Sequence, residues 1–244
     1  DILNKIVAAE DLLLEVQKDI NEADQAISEI NTGVLLPQLK EPVTLLQDTL
    51  PTMKRLVDNT IPMLAVVPKV VGFEEQKTYL FLLQNNNELR PTGGFIGTYG
   101  VLILKNGEMV SFETDNIYNL DRAPQYILAE PSPEPIARYL EQPYLSLRDV
   151  NWSPDFPTTA ERALYFYHEN YRVYNSLKAE GKKVVGEEDI EIVDIIPYEP
   201  NIDGVIAMTP EIMGDFLELT GPVVINGRMF DSENFQTELE YIVG

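Results

Sequence analysis

The sequence predicts an α/β domain preceded by a helical hairpin. Two observations carry this. From residue 1 to about 70, apolar residues recur at alternating steps of four and three, the spacing of one helix face. From about residue 76 to 244, short apolar runs alternate with Asn-Gly turns and capped helical segments, the pattern of strands and helices packed on one sheet. The expected domains are therefore an arm over 1–70 and an α/β domain over 76–244, truncated at its C-terminus.

In the arm, Ile2, Ile6, Ala9, Leu13, Val16, Ile20, Ala23, Ile27 and Ile30 form an unbroken heptad seam, like that of a coiled coil. Gly33 is placed near the end of this helix. A second seam runs through Val43, Leu46, Leu50, Met53, Val57 and Leu64. Pro42 suits a first turn, whereas Pro51 and Pro62 are expected to kink or break the helix. The seam either packs the hairpin on itself or on the next domain, or it makes a stalk or homo-oligomer contact.

In the second domain, Tyr79–Leu83 reads as a buried strand. A loop over 84–94 follows, then a strand over Phe95–Leu104, an Asn106-Gly107 hairpin turn and a third strand over Met109–Phe112. Asn85, Asn86 and Asn87 are expected to bond neighbouring backbone and shape the loop. Gly93, Gly94 and Gly97 are expected to supply positive φ or close backbone approach. Residues 113–157 are polar and proline-rich, too long for a plain connection, and read as functional or mobile.

Thr158 and Thr159 are placed as caps of a helix beginning at Ala160, with Leu164, Tyr167 and Tyr171 on one face. Residues 177–194 read as an exposed insertion. Val205–Met208 is a strand. Thr209 caps a helix with Pro210 at its first position, and Gly221 ends it. Pro222–Ile225, the Asn226-Gly227 turn and a last helix from Asp231 complete the chain.

The chain has 244 residues, 40 acids against 18 Lys and Arg, and a formal net charge of −22. Such a surface repels nucleic acid and anionic headgroups. Cysteine is absent, which excludes disulfides and thiolate chemistry. The only histidine, His168, reads as an ordinary helix residue, and there is no G-x-S-x-G elbow, Walker loop or G-x-G-x-x-G. Trp152 reads as a core anchor or, alternatively, a ligand platform. No uncharged run is long enough to cross a bilayer.

Charge placement offers one candidate site. Arg90, Arg122 and Arg148 lie in loops at expected strand ends, with Asp115, Asp121 and Asp149 beside them. Arginine forks suit phosphate, and clustered carboxylates suit a hard cation such as Mg²⁺. Arg90, Arg122 and Arg148 are therefore candidate phosphate ligands. Asp115, Asp121 and Asp149 are candidate catalytic carboxylates, with Asp115 and Asp121 as candidate Mg²⁺ ligands. The alternative is local salt bridging, Glu88 to Arg90 or Asp149 to Arg148.

Three stretches carry a resemblance: "YLFLLQNNNELRPTGGFIGTYGVLILKNGEM", "RDVNWSPDFPTTA" and "IDGVIAMTPEIMGDFLELTGPVVING". Over about 77–235 the chain resembles the bacterial domain-of-unknown-function family 4012. The resemblance implies an extracytoplasmic cell-envelope protein, anchored in the membrane by a segment upstream of residue 1. A weaker similarity is to the LytR-CpsA-Psr domain, which transfers glycopolymers from a polyprenyl pyrophosphate carrier. Arg90 falls where that family has an arginine before its second strand. But Pro91-Thr92 follows it instead of Ser-Asp, and "ETDNIYNLDR" stands where a Pro-Arg-Asp is expected. The expected functions are binding or transfer of a polyprenyl-phosphate-linked glycopolymer, or a non-enzymatic surface module with the arm as spacer or oligomerisation element.

Overall fold

A computed structural model describes residues 2–181, 193–235 and 237–238. Most of the expected insertion over 177–194, and the end of the last helix, lie outside the described residues. The chain divides into two compact units, Asp1–Lys77 with Leu104–Glu108, and Thr78–Ile103 with Met109–Gly244.

The first unit is a helix pair, α1 (Ile2–Ser28) and α2 (Pro37–Val70). Ala9, Leu13, Val16, Ala23 and Ile27 are half-buried in α1 and Ile20 is buried, with Glu10, Gln17, Asn21 and Asp24 half-buried beside them. The Ile2 and Ile6 side chains lie outside the described residues. The helix ends at Ser28 rather than beside Gly33. A 3₁₀ turn over Thr32–Val34 follows, in which the Asn31 side chain accepts from the Gly33 N–H at 2.9 Å.

The expected break in the second helix does not occur. α2 runs through Pro42, Pro51, Pro62 and Pro68 without interruption. Pro51 and Pro62 are exposed, so the hydrogen bonds they forfeit fall where water can replace them. The seam also shifts. Its inward positions are Val43, Gln47, Leu50, Lys54, Val57, Ile61, Leu64 and Pro68, whereas Leu46 and Met53 are exposed. Gln47 fits there because its amide donates to the Ile27 and Ile30 carbonyls at 2.9 and 3.1 Å. Gln17 likewise donates to Asp58 at 2.6 Å.

In the same unit, the tip at Leu104–Glu108 is tied to the end of α2. Asn106 and Gly107 donate backbone N–H groups to the Gly72 and Val71 carbonyls at 2.8 and 3.0 Å. Gly107 has φ +77°, and a Cβ there would lie 2.7 Å from the Phe73 ring.

The second unit is built on a four-stranded mixed sheet of order β3-β2-β1-β4. Its strands are β1 (Lys77–Arg90), β2 (Gly93–Lys105), β3 (Glu108–Asn116) and β4 (Gly204–Met208). β1 and β4 are parallel, with Tyr79 opposite Gly204 and Leu83 opposite Met208. At the entry to this pair, Asp203 accepts from the Thr78 N–H through its carboxylate at 2.8 Å, and its own N–H donates to the Thr78 carbonyl at 2.7 Å.

The loop expected over 84–94 is mostly strand. β1 continues to Arg90, and only Pro91 and Thr92 turn the chain into β2. Polar composition misled here because the strand's far end is solvent-exposed, and an exposed strand has no need of apolar residues.

Residues 113–157 are not a plain loop. They finish β3 and then fold into α3 (Ile117–Asp121), α4 (Pro124–Leu128), α5 (Glu134–Tyr139) and a 3₁₀ helix over Leu147–Trp152. The next helix, α6 (Phe156–Ala179), starts earlier than expected. Asp155 is its N-cap, accepting from the Thr158 N–H at 2.9 Å, while Thr159 is buried inside the helix. Aspartate caps as well as threonine, so sequence could not rank them.

After β4, α7 (Glu211–Thr220) has Pro210 at its N-cap position and no side-chain cap, so Thr209 does not serve as one. Gly221 ends it at φ +86°. β5 (Val223–Ile225) and β6 (Arg228–Phe230) form a hairpin across Asn226 and Gly227, which have φ +52° and +80°. That is the geometry of a type I′ turn.

The core lies between the sheet and α6. Leu80, Leu82, Ile96, Tyr99 and Val101 share one buried cluster with Ala163, Phe166, Tyr167 and Tyr171 and with Ile117, Leu120, Leu147 and Val150. Trp152 is not in it. It is 44 % exposed, and the core-anchor expectation fails because the 3₁₀ helix turns its last residue outward.

Candidate functional site

The candidate site grows from the end of β1. Arg90, the last residue of that strand, reaches the 3₁₀ helix, and its Nη2 and Nε donate to Asp149 Oδ1 at 3.1 and 3.4 Å. Its Nη1 donates to the Leu89 carbonyl at 3.0 Å. Next along the 3₁₀ helix, Arg148 lies with Nε 3.5 Å from Asp149 Oδ2 and Nη1 3.4 Å from Asp121 Oδ2. A chain of alternating charge results, Arg90–Asp149–Arg148–Asp121. Its last three members are almost wholly buried.

Polar neighbours complete this chain. Arg148 Nη2 donates to Gln125 and Gln142 at 2.8 and 2.9 Å. Asp121 accepts from the Leu147 and Arg148 backbone N–H groups at 2.9 and 3.0 Å, and from Asn170 of α6 at 2.8 Å. Burial pushes the Asp121 carboxyl above the usual carboxylate range, against the pull of Arg148, the two backbone N–H groups and Asn170.

An aromatic pair borders the ionic chain. Phe95 and Tyr118 have ring centroids 6.2 Å apart. The Arg90 guanidinium lies over Phe95 at 5.5 Å, and Arg148 and Arg122 lie over Tyr118 at 5.3 and 5.7 Å. Such cation–ring contacts each contribute on the order of 0.5–2 kcal/mol. Arg122 is exposed, and its guanidinium has no hydrogen-bond partner among the described residues.

The structure thus brings together Arg90, Arg148, Asp121 and Asp149, with Arg122 at the margin. Asp115 stands apart. Its Oδ1 accepts from Asn119 Nδ2 and from the Asn116 N–H, both at 2.7 Å. Asp115 Oδ2 has no partner among the described residues, but a single carboxylate oxygen is not a hard-cation site. Asp121 does not fit Mg²⁺ either, because protein donors fill its acceptor positions. Among the described residues no three His, Cys, Asp or Glu side chains converge as metal ligands.

The neighbouring loop residues divide by role. Asn85 Oδ1 accepts from the Asn87 N–H at 3.1 Å, and Asn86 Nδ2 donates to Glu211 at 2.5 Å. Gly93 has φ +128°. A Cβ at Gly94 would fall 1.9 Å from the Asn85 carbonyl oxygen, and the Gly94 carbonyl itself accepts from Asn151 at 2.7 Å. Glu88 does not pair with Arg90. It takes the weaker Asn85 amide at 3.4 Å.

Sequence reasoning missed Gln125, Gln142, Asn151 and Asn170. Only Asn170 left a signal, an amide on the α6 face that otherwise reads Phe166, Tyr167, Tyr171. A polar residue at an apolar position implies a buried partner.

Residues 74–177 match the model of a family described as a protein of unknown function, DUF4012. The DUF4012 segment holds every member of the ionic chain. It ends within α6, so the stretch around β4 and α7 lies beyond it. Nothing matches among curated proteins or solved structures.

Proposed function

We propose that the chain is a non-enzymatic interaction module of a bacterial cell envelope, with the α/β domain as a rigid head and the helix pair as spacer and assembly element. The observation that supports this over a glycopolymer transferase is the donor count at the two inner arginines. Phosphate capture needs two parallel N–H groups free on one edge of the guanidinium. At Arg90 and Arg148 those edges are spent on Asp149, Asp121, Gln125, Gln142 and the Leu89 carbonyl. The ionic chain, buried at Asp149, Arg148 and Asp121, ties β1, α3, α4 and α6 to one another, which is a structural task. The envelope setting, on the extracytoplasmic face, is supported by the family resemblance alone.

Arg122 keeps its donors free, so the test includes it. Calorimetric titration of Mg²⁺-pyrophosphate, then of a short-chain polyprenyl pyrophosphate, into the full chain is expected to give no saturable heat. Saturable binding that Arg90→Ala or Arg122→Ala abolishes, with the fold intact by circular dichroism, would overturn this reading in favour of the transferase.

A further inference from the structure

α2 carries a second heptad stripe that its partner helix does not cover. Leu39, Leu46, Met53 and Val67 repeat along one row, interrupted by Thr60, and Leu56, Met63 and Val70 along another three positions on, which begins with Pro42 and Thr49. The seven Leu, Met and Val residues are exposed, Leu56 and Met63 at 60 and 59 %. At 3.6 residues per turn the stripe is centred about 100° around the helix from the seam that meets α1, and it runs for roughly 45 Å. Two heptad stripes about a quarter-turn apart are what a helix needs to touch two neighbours in a four-helix bundle.

The charge pattern says what the neighbour is. α2 has seven charged residues: Lys40, Glu41, Asp48, Lys54, Arg55, Asp58 and Lys69. None lies on the stripe or on the flanking row of Gln38, Leu45, Thr52, Asn59 and Val66. In a chain of net charge −22, copies approaching through most faces repel each other, whereas two of these faces meet with no charge opposed. An anionic lipid surface would instead need basic residues beside the apolar face.

We propose that this stripe pairs α2 with α2 of a second copy, antiparallel about a twofold axis, to make a four-helix bundle. Most of the acids follow α2 in the chain. Antiparallel pairing sends those two acidic remainders to opposite ends and aligns the helix dipoles favourably. The stripe's midpoint places Met53 and Leu56 beside the axis. The proposal rests on the interaction-module reading but fails separately from it, since pyrophosphate binding would leave the dimer untouched.

Sedimentation velocity of the full chain over a tenfold dilution series is expected to show twice the chain mass. Leu56→Glu/Met63→Glu is expected to sediment as monomer with unchanged far-UV circular dichroism, because both side chains are exposed within one copy. A monomeric wild-type chain, or a double variant that remains dimeric, overturns the proposal. Because the chain lacks cysteine, single cysteines report the geometry. A short bismaleimide is expected to join Met53→Cys copies and not Leu39→Cys copies, and the reverse result overturns the antiparallel arrangement. A monomeric chain that binds neutral or anionic phosphatidyl vesicles, and loses this with the double glutamate variant, would assign the stripe to lipid and overturn the dimer.

Discussion

Arg90 and Asp149 are 59 positions apart in the chain and meet at 3.1 Å, the carboxylate side chain 3 % exposed. Asp149 in turn touches Arg148, so one acid bridges two guanidiniums. Removing it leaves buried positive charge unpaired. Asp149→Asn is therefore expected to cost about 3–5 kcal/mol, read as a lower urea midpoint at unchanged slope. Arg90→Met/Asp149→Leu should lose less than the sum of its singles, because neither charge is then stranded.

Two glycines of one short stretch are expected to respond oppositely. At Gly94 a Cβ would strike the Asn85 backbone, which cannot move aside as a side chain could. Gly94→Ala should cost more than about 3 kcal/mol. At Gly97 the nearest atoms are on the Phe95 ring at 3.8 Å, an ordinary contact. Gly97→Ala should leave stability unchanged or raise it by up to about 1 kcal/mol. Thermal unfolding of both variants checks the contrast.

Tyr99 and Tyr171 meet hydroxyl to hydroxyl at 3.3 Å inside the core. Tyr171 spends its hydrogen on the Ile196 carbonyl at 2.7 Å, so Tyr99 is the donor between them. Burial pushes both phenols above their ordinary value of 10.0, and pushes Tyr167 up to about 12. In the unfolded chain these groups ionise near pH 10. Between that value and the folded one, the folded state holds more protons, so stability falls as pH rises. Tyrosinate absorbance should show these three of the 12 tyrosines ionising only together with unfolding, above about pH 10. Their titration in a chain still folded would contradict the packing.

Asp155 caps α6 through the Thr158 N–H and hydroxyl, and those bonds hold its carboxyl below the usual range. A depressed carboxyl stabilises the fold above its unfolded value of about 3.8 and loses that contribution as pH falls through the folded one. Asp155→Ala should lower the melting temperature at pH 7, and the difference from wild type should shrink in acid. Asp155→Ser should recover much of the loss, since serine caps nearly as well.

Some of this was legible in one dimension. The α1 seam from Ala9 to Ile27 was legible because a helix repeats its face every three to four residues, whatever it packs against. The hairpin turns at Asn106-Gly107 and Asn226-Gly227 were legible because left-handed backbone admits few residues. The α2 seam was misread at Leu46 and Met53. Apolar residues on two adjacent faces satisfy the same spacing, and only the position of α1 separates them. Pro51 and Pro62 do not break α2, since whether a lost hydrogen bond breaks a helix depends on which side faces water.

The candidate site divides the same way. Sequence alone placed arginines and acids near strand ends and fixed the excess of negative charge, because composition and local order need no folding to be read. It could not say that Arg90 and Arg148 would meet Asp149 and Asp121 instead of solvent, or that Gln125, Gln142 and Asn170 would take the remaining hydrogen bonds. Those pairings join residues of different elements, and only packing β1, α3, α4 and α6 around one core set their distances. Tertiary structure also removed the water, and a charge without water must be paired within the protein. That requirement, rather than the identity of any one residue, made these guanidiniums part of the framework.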